Sequence, residues 1–365
     1  MRTILLLILL FCCAPLTYAQ ENLSVISQNR IFSISSYYQS WEIDNARKID
    51  EISTPIFLYL PFGYAFNISV HASSANVTGD GLPGITSFTD TQVSMNYHIE
   101  SANLLLSLGL NVPSGKKEYT LDEFASSSLI SYSVFGFRVP NFGEGFGIAP
   151  GFTWAIPLGE DVVAGIGATY QRKNGFKPIA SFNANYVPGD EILATAGLDF
   201  RLSQSASLST DVLFTSYGVD KMGDRELFTS GKKWLLNLQF RKYFRFNELW
   251  FFARYRSRAK NRLVQAGRLI DEREKTTPDQ IDFMAHYRMR LGSKMSFRIL
   301  AEGRFFQVTS SDFSGATLVG LGIMPEISIS NNFTLPIRLL FFSGELKNQT
   351  DLSGFEVGLG AIVNF

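Results

Sequence analysis

The chain has 365 residues, is 45% hydrophobic and 14% aromatic, and carries 33 basic and 33 acidic side chains for a formal net charge of zero. A neutral balance gives no footing for nucleic-acid binding, which calls for a basic excess. Past the N-terminus no stretch nears the ~18 consecutive apolar residues of a membrane helix, so helical spans are excluded while alternating strands are not.

Met1 and Arg2 precede an apolar run from Ile4 to Phe11, then Cys12, Cys13 and the triplet Thr17-Tyr18-Ala19. A basic start, a short apolar stretch and small residues before the cut describe a secretory signal peptide over residues 1–19, cleaved after Ala19. Both cysteines fall in it, so the mature chain would have no disulfide or thiolate chemistry. Residues 20–30 read as a short N-terminal segment, and residues 31–365 as one continuous strand domain.

Period-two alternation then recurs along the chain. Val93, Met95, Tyr97 and Ile99 oppose Gln92, Ser94, Asn96 and His98, and Leu104 to Val112 alternates likewise. Leu129, Phe135, Phe137 and Val139 share a register with Ser131 and Ser133, which predicts a further strand. The glycine- and proline-rich stretch Gly145–Ile156 reads as a distorted strand. Val162–Gln171, Ile192–Leu202, Leu236–Arg241 and Ile281–Leu291 alternate again. Several of these segments approach the roughly 9–11 residues that a tilted strand needs to cross hydrocarbon. Polar loops are predicted at Ala72–Asp90, Pro113–Ser127, Gly218–Lys233, Lys260–Asp279 and Ser343–Ser353, with short turns such as Gly292-Ser293-Lys294 between. Trp234, Trp250, Phe251 and Phe252 fall at strand ends, where an interfacial aromatic girdle would sit.

The last eleven residues alternate most cleanly. Phe355, Val357, Leu359, Ala361, Val363 and Phe365 form an apolar face against Glu356, Gly358, Gly360, Ile362 and Asn364. Outer-membrane barrels commonly close on such a strand, whose terminal aromatic is read by the barrel-assembly machinery. The expectation is therefore an all-β, transmembrane, antiparallel up-and-down β-barrel in the outer membrane of a Gram-negative bacterium. It would have about 14 strands, within about 12–18, with short periplasmic turns, long outer loops and lipid as its immediate partner.

This register sends a set of charges inward: Arg241, then Arg254, Arg256 and Arg258 from one strand, Arg288 and Arg290 from the next, and Arg298 and Arg304 from the one after. Asp282, Glu302 and Glu356 share that face. Neighbouring strands lie about 4.8 Å apart, so these side chains can form one patch. One reading is an electropositive wall that selects anions. The other is an internal salt-bridge network that holds the barrel's shape, favoured by the interleaved carboxylates.

Chemistry of other kinds finds little support. His71, His98 and His286 are scattered without zinc spacing. His286 and Asp282, four apart on one strand, lie about 13 Å from each other, beyond hydrogen-bond reach. No catalytic residue, metal ligand or cofactor is assigned, and Gly143–Gly147 lacks the helix a phosphate loop needs.

Gly79-Asp80-Gly81-Leu82 followed by the strand Thr91–Ile99, then Leu110-Asn111-Val112-Pro113-Ser114-Gly115-Lys116, and later Tyr186-Val187-Pro188-Gly189-Asp190, carry a family likeness. Leu110–Lys116 resembles the L-x-L-P-T-G-K stretch of outer-membrane proteins of the phenol-degradation, MetA-pathway type, with Ser114 for Thr. These belong with the FadL-like channels for hydrophobic compounds, and the likeness covers about residues 55–220. The resemblance implies passive uptake of small apolar or aromatic molecules through a monomeric barrel. FadL-like channels also carry an N-terminal hatch, for which Gln20 to about Arg30 is short. Two other classes stay open: a general anion-preferring porin, and a structural or secretion-associated barrel with a partner chain.

Overall fold

A computed structural model describes residues 29–44, 47–311 and 313–365. The predicted signal peptide lies outside the described residues.

In chain order the strands are β1 (Ile31–Ile43), β2 (Arg47–Phe62), β3 (Phe66–Gly79), β4 (Leu82–Phe88), β5 (Thr91–Ile99) and β6 (Leu104–Val112). Helix α1 (Leu121–Ile130) follows, then β7 (Gly147–Pro157), β8 (Val162–Lys173), β9 (Tyr186–Val187), β10 (Glu191–Ser203) and β11 (Ala206–Tyr217). The rest are β12 (Asp220–Met222), β13 (Arg225–Thr229), β14 (Lys233–Phe244), β15 (Asn247–Arg258), β16 (Arg262–Gln265), β17 (Arg268–Asp271), β18 (Gln280–Arg290), β19 (Met295–Phe306), β20 (Thr317–Ser330), β21 (Phe333–Leu346) and β22 (Thr350–Asn364).

Sixteen of these strands pair antiparallel in sequence order and close into a barrel, with β4 as one extra strand. Closure is made by β1 against β22, from Ile31 opposite Asn364 to Ile43 opposite Leu352. Closing the sheet removes its unpaired edges, the condition for placing backbone in a medium that offers no hydrogen bonds. Phe365 lies just beyond β22 and exchanges two backbone hydrogen bonds with Arg30, at 2.9 and 3.1 Å. The strand count of 16 exceeds the expected 14 and falls within the expected range. The glycine- and proline-rich stretch read as a distorted strand forms β7.

Period-two alternation sorts the side chains. On β20 to β22, Leu321, Phe341 and Leu359 are 64%, 63% and 58% exposed, whereas Arg338 and Glu356 on the opposite face are each 3% exposed. A soluble monomer does not expose a continuous belt of this kind. The outer face is apolar and the lumen carries the charge.

The two ends are unlike. Short turns such as Gln204–Ser205, Arg245–Phe246 and Asn331–Asn332 join strands at the end holding Arg30 and Phe365. All connections longer than a few residues lie at the opposite end. Four expected loops are ordered differently. Ala72–Asp90 is mostly strand, because β3 runs on to Gly79 and pairs with β4 (Val77 opposite Ile85) before β5 takes over lower down (Phe66 opposite Tyr97). Ser343–Ser353 is a tight hairpin between β21 and β22. The loops spanning 218–232 and 259–279 carry β12, β13, β16 and β17, which join β9 in a small five-stranded sheet above the rim.

The predicted strand over Leu129–Val139 is not a strand. Ile130 closes α1, and Val134 to Phe142 run irregularly inside the barrel. The alternating apolar residues bury against the inner wall instead of facing lipid.

Candidate functional site: a constricted, charged lumen

The interior is shaped by the segment 113–146, which leaves the wall at the end of β6 and returns to it at β7. Pro113 lacks an N–H and cannot continue the ladder. Ser114 then takes over: its hydroxyl accepts from Thr91 N–H at 2.8 Å. Thr120 caps α1 in a reciprocal box with Glu123, the Glu123 N–H donating to Thr120 Oγ1 at 3.2 Å and the Thr120 N–H to Glu123 Oε2 at 3.0 Å. Lys116 Nζ sits 2.6 Å from Glu123 Oε1 and holds that carboxyl below its ordinary range. From α1, Ser126 Oγ donates to the Pro83 carbonyl at 2.9 Å, so the helix lies against β4.

One carboxylate ties both ends of the segment. Asp90, between β4 and β5, accepts from Gly115 N–H at 3.0 Å where the chain dives in, and from Glu144 and Gly145 N–H at 2.7 and 3.0 Å where it returns. Asn111 Nδ2 adds a fourth bond at 2.8 Å. Gly115 is required here, since a Cβ would collide with the Phe142 carbonyl and the Thr89–Asp90 backbone.

Between these ties, Phe135, Phe137 and Phe142 are buried against the inner face of the wall. Trp41 packs edge-on to Phe135 at 5.9 Å and stacks on Phe342 at 5.1 Å. Polar groups bracket this apolar seat. Gln39 accepts from Arg138 N–H at 2.8 Å and donates to the Gly136 carbonyl at 3.3 Å, and Glu51 accepts from Val139 N–H at 3.2 Å. Arg138 grips Glu356 with two bonds, at 2.6 and 3.1 Å. Glu356 also accepts from Arg338 Nε, and Arg338 reaches Glu302 at 2.6 Å. Arg304 pairs with Glu302 at 3.6 Å and donates to the Val134 carbonyl at 3.1 Å. Nearer the terminal end, Glu326 joins Arg298 at 2.8 Å and Arg288 at 3.1 Å.

The residues singled out from the sequence therefore divide. Glu302, Glu356, Arg288, Arg298 and Arg304 face the lumen within ion-pair networks, as the interleaved carboxylates suggested. Arg241 pairs with Glu248 at 3.2 Å near the terminal rim. Arg290 is exposed at the rim and bonds the Gly292 carbonyl at 3.3 Å, outside the wall it was expected to join. The strand pairing gives the reason: Arg290 still pairs with Ser296 on β19, but the β15–β18 ladder stops at Arg288, which leaves the last residue of β18 uncovered on that side. Arg254, Arg256 and Arg258 stand on the lumen face of β15, where Arg254 Nε donates to Asn237 at 2.9 Å. Asp282 lies opposite Arg254 and accepts from Gln280 at 2.5 Å.

Trp250 and Phe252 correct the predicted girdle. They share parity with Arg254, so they point inward, are buried, and stack with each other at 5.9 Å and with His286 at 5.0 Å. Trp234, half exposed on the outer face of β14, fits the girdle. Sequence reasoning missed Asp90, Gln39, Glu51, Arg138, Glu326 and Arg338. For Arg338 and Glu326 the signal was present as charge on the inward parity of apolar strands. For Arg138 it was not, since its segment read as a strand.

A cavity of 380 Å³ remains between the segment and the wall, lined by Tyr37, Phe57, His71, Leu110, Arg138, Glu144, Lys173, Arg298, Glu326 and Ile362, among others. No cluster of three or more metal-ligating side chains is found among the described residues.

Fold and lumen together define a membrane-type β-barrel, apolar outside, charged inside, and narrowed by an infolded segment. Solved structures similar in outline include a CymD monoaromatic hydrocarbon channel, at 9% identity over 93% of this chain and 89% of that one with a TM-score of 0.48. A bacterial polysaccharide outer membrane secretin matches at 11% identity over 93% and 99%, with a TM-score of 0.48. The outer membrane channel DcaP of Acinetobacter baumannii matches at 11% identity over 92% and 96%, with a TM-score of 0.47. No protein-family model and no curated protein matches the sequence. The resemblance read at Leu110–Lys116 thus stands on its own residues.

Proposed function

We propose that the chain is a passive outer-membrane channel for small solutes, oriented with Arg30 and Phe365 toward the periplasm. The observation that carries this reading is the lumen: the infolded segment narrows it and leaves a cavity of 380 Å³ with both apolar and charged lining. A barrel serving only as a scaffold has no need of a passage-sized space bounded by a segment held in place through Asp90, Glu51 and Glu356. The FadL-like resemblance adds a solute class, small apolar or aromatic molecules, supported by Phe57, Val93, Leu110, Ile148 and Ile362 in the lining. Here the middle of the chain would do the gating. The test is planar-bilayer recording with purified protein alongside uptake of small aromatic solutes into liposomes. Solute uptake with small unitary currents supports the reading, whereas a barrel that neither conducts nor passes solute refutes it. The porin reading is favoured by one observation, the basic face on β14 and β15, and predicts anion-selective currents.

A further inference from the structure

We infer that the lumen face of β11, β14 and β15 is a binding site for a small organic carboxylate with a short apolar body. The inference rests on the channel reading only for how the ligand arrives.

The site begins with an unfavourable arrangement. Lys233 on β14 lies directly opposite Arg258 on β15, and Arg256 follows one inward position below, opposite Leu235. Like charges at directly opposed positions repel. Elsewhere in the lumen the fold cancels such charge: Arg138, Arg298, Arg304 and Arg338 each hold a carboxylate. Lys233, Arg256 and Arg258 form no ion pair among the described residues. The carboxylates around them are engaged: Glu191 with Lys173 at 2.8 Å, Asp279 with Lys275 at 2.5 Å, Asp211 with Asn237 at 2.7 Å and Asp282 with Gln280 at 2.5 Å. Glu191 and Asp282 attract Lys233 and Arg256 only from a distance, so the three cations keep no carboxylate in direct contact.

Their heads are also positioned. Tyr217 accepts from Arg258 Nη2 at 3.3 Å, and its ring lies 5.2 Å from the Arg258 guanidinium carbon and 5.9 Å from Lys233 Nζ. Beside the cations the same face turns apolar, with Leu235 opposite both Arg256 and Leu213. A carboxylate fits this edge: a guanidinium offers it two parallel N–H groups and an ammonium adds a third donor. The ligand's hydrocarbon part then covers the half-buried Leu235, beside the already buried Leu213, removing apolar surface from water. A compact, doubly charged inorganic anion would use the cations and leave the apolar step bare.

Calorimetric titration of the detergent-purified full chain tests this whether or not the barrel conducts. Benzoate is the probe, benzamide its uncharged isostere and sulfate the compact anion. Benzoate should bind, sulfate about tenfold or more weaker, and benzamide not measurably. Arg256→Gln should weaken benzoate by about fivefold or more, Lys233→Gln likewise, and Arg256→Lys, which keeps the charge but not the paired N–H groups, should recover only part of the loss. No benzoate heat, equal binding of benzamide or sulfate, or variants that bind as the parent would each overturn the site. Heat-modifiable mobility on gels confirms that each variant is a folded barrel. Absence of bilayer current would count against the channel reading alone, because the titration reads binding and not passage.

Discussion

Replacing Asp90 with asparagine should untie the infolded segment while leaving the barrel closed. Three donors converge on Asp90 Oδ2, from Glu144, Gly145 and Asn111, and one on Oδ1, from Gly115. An amide that keeps its oxygen at the crowded position turns its NH2 on the Gly115 N–H, so one bond becomes a donor facing a donor. The other three lose the charge that strengthened them. A buried donor left unsatisfied costs about 1–3 kcal/mol, and three weakened bonds add to it, so about 3 kcal/mol is a fair figure for the tie. That is roughly a hundredfold shift toward the released segment. Trypsin reads it directly, because Lys116, Lys117 and Arg138 lie within the segment and Arg138 is mostly buried. Cleavage after Arg138 should accelerate by one to two orders of magnitude, with heat-modifiable mobility unchanged. Cleavage within about twofold of the parent would show that Asp90 does not hold the segment.

Three further outcomes follow from the same contacts. Glu356→Gln leaves Arg138 and Arg338 sharing a neutral partner deep in the wall, and should lower stability to urea unfolding by about 3 kcal/mol or more. Gly136→Ala places a Cβ at a φ of +58° against the Arg304 guanidinium, and should speed hydrogen exchange of the segment around Val134 to Val139. Glu123 has its pKa lowered first by the Lys116 bond, so its support of α1 is full above the ordinary glutamate value near ~4.3 and is lost as pH falls through the lower folded value. Protection of residues 117–130 from exchange should therefore be flat from neutral pH down to about 5 and decline only in more acid solution.

Barrel architecture was legible because two-residue periodicity survives in almost every wall strand, and β22 shows it without interruption from Phe355 to Asn364. Parity alone placed Glu302, Glu356, Arg298 and Arg304 inside. It failed where apolar residues alternate for another reason. Phe135, Phe137 and Val139 resemble a lipid-facing strand, yet they fill a seat made by Trp41, Leu318, Leu340 and Phe342 from strands far away in sequence. The warning lay in Thr120-Leu121-Asp122-Glu123, a helix-capping signature just upstream, followed by a serine-rich stretch that suits a helix lying on β4. Parity also carried the answer for Trp250 and Phe252, which alternate with the lipid-facing Phe251 and so point inward with the arginines. Asp90 left no trace of its role, because four donors from three separate segments meet there only after folding.

On this structure the width of the passage is set by a mid-chain segment held inside the barrel. Single-channel conductance of the full chain should be compared with that of a variant in which residues 118–141 are replaced by a short glycine-serine bridge. A stable barrel whose unitary conductance rises several-fold is the expected outcome. A deletion variant that folds and conducts as the parent does would refute the role given to the segment.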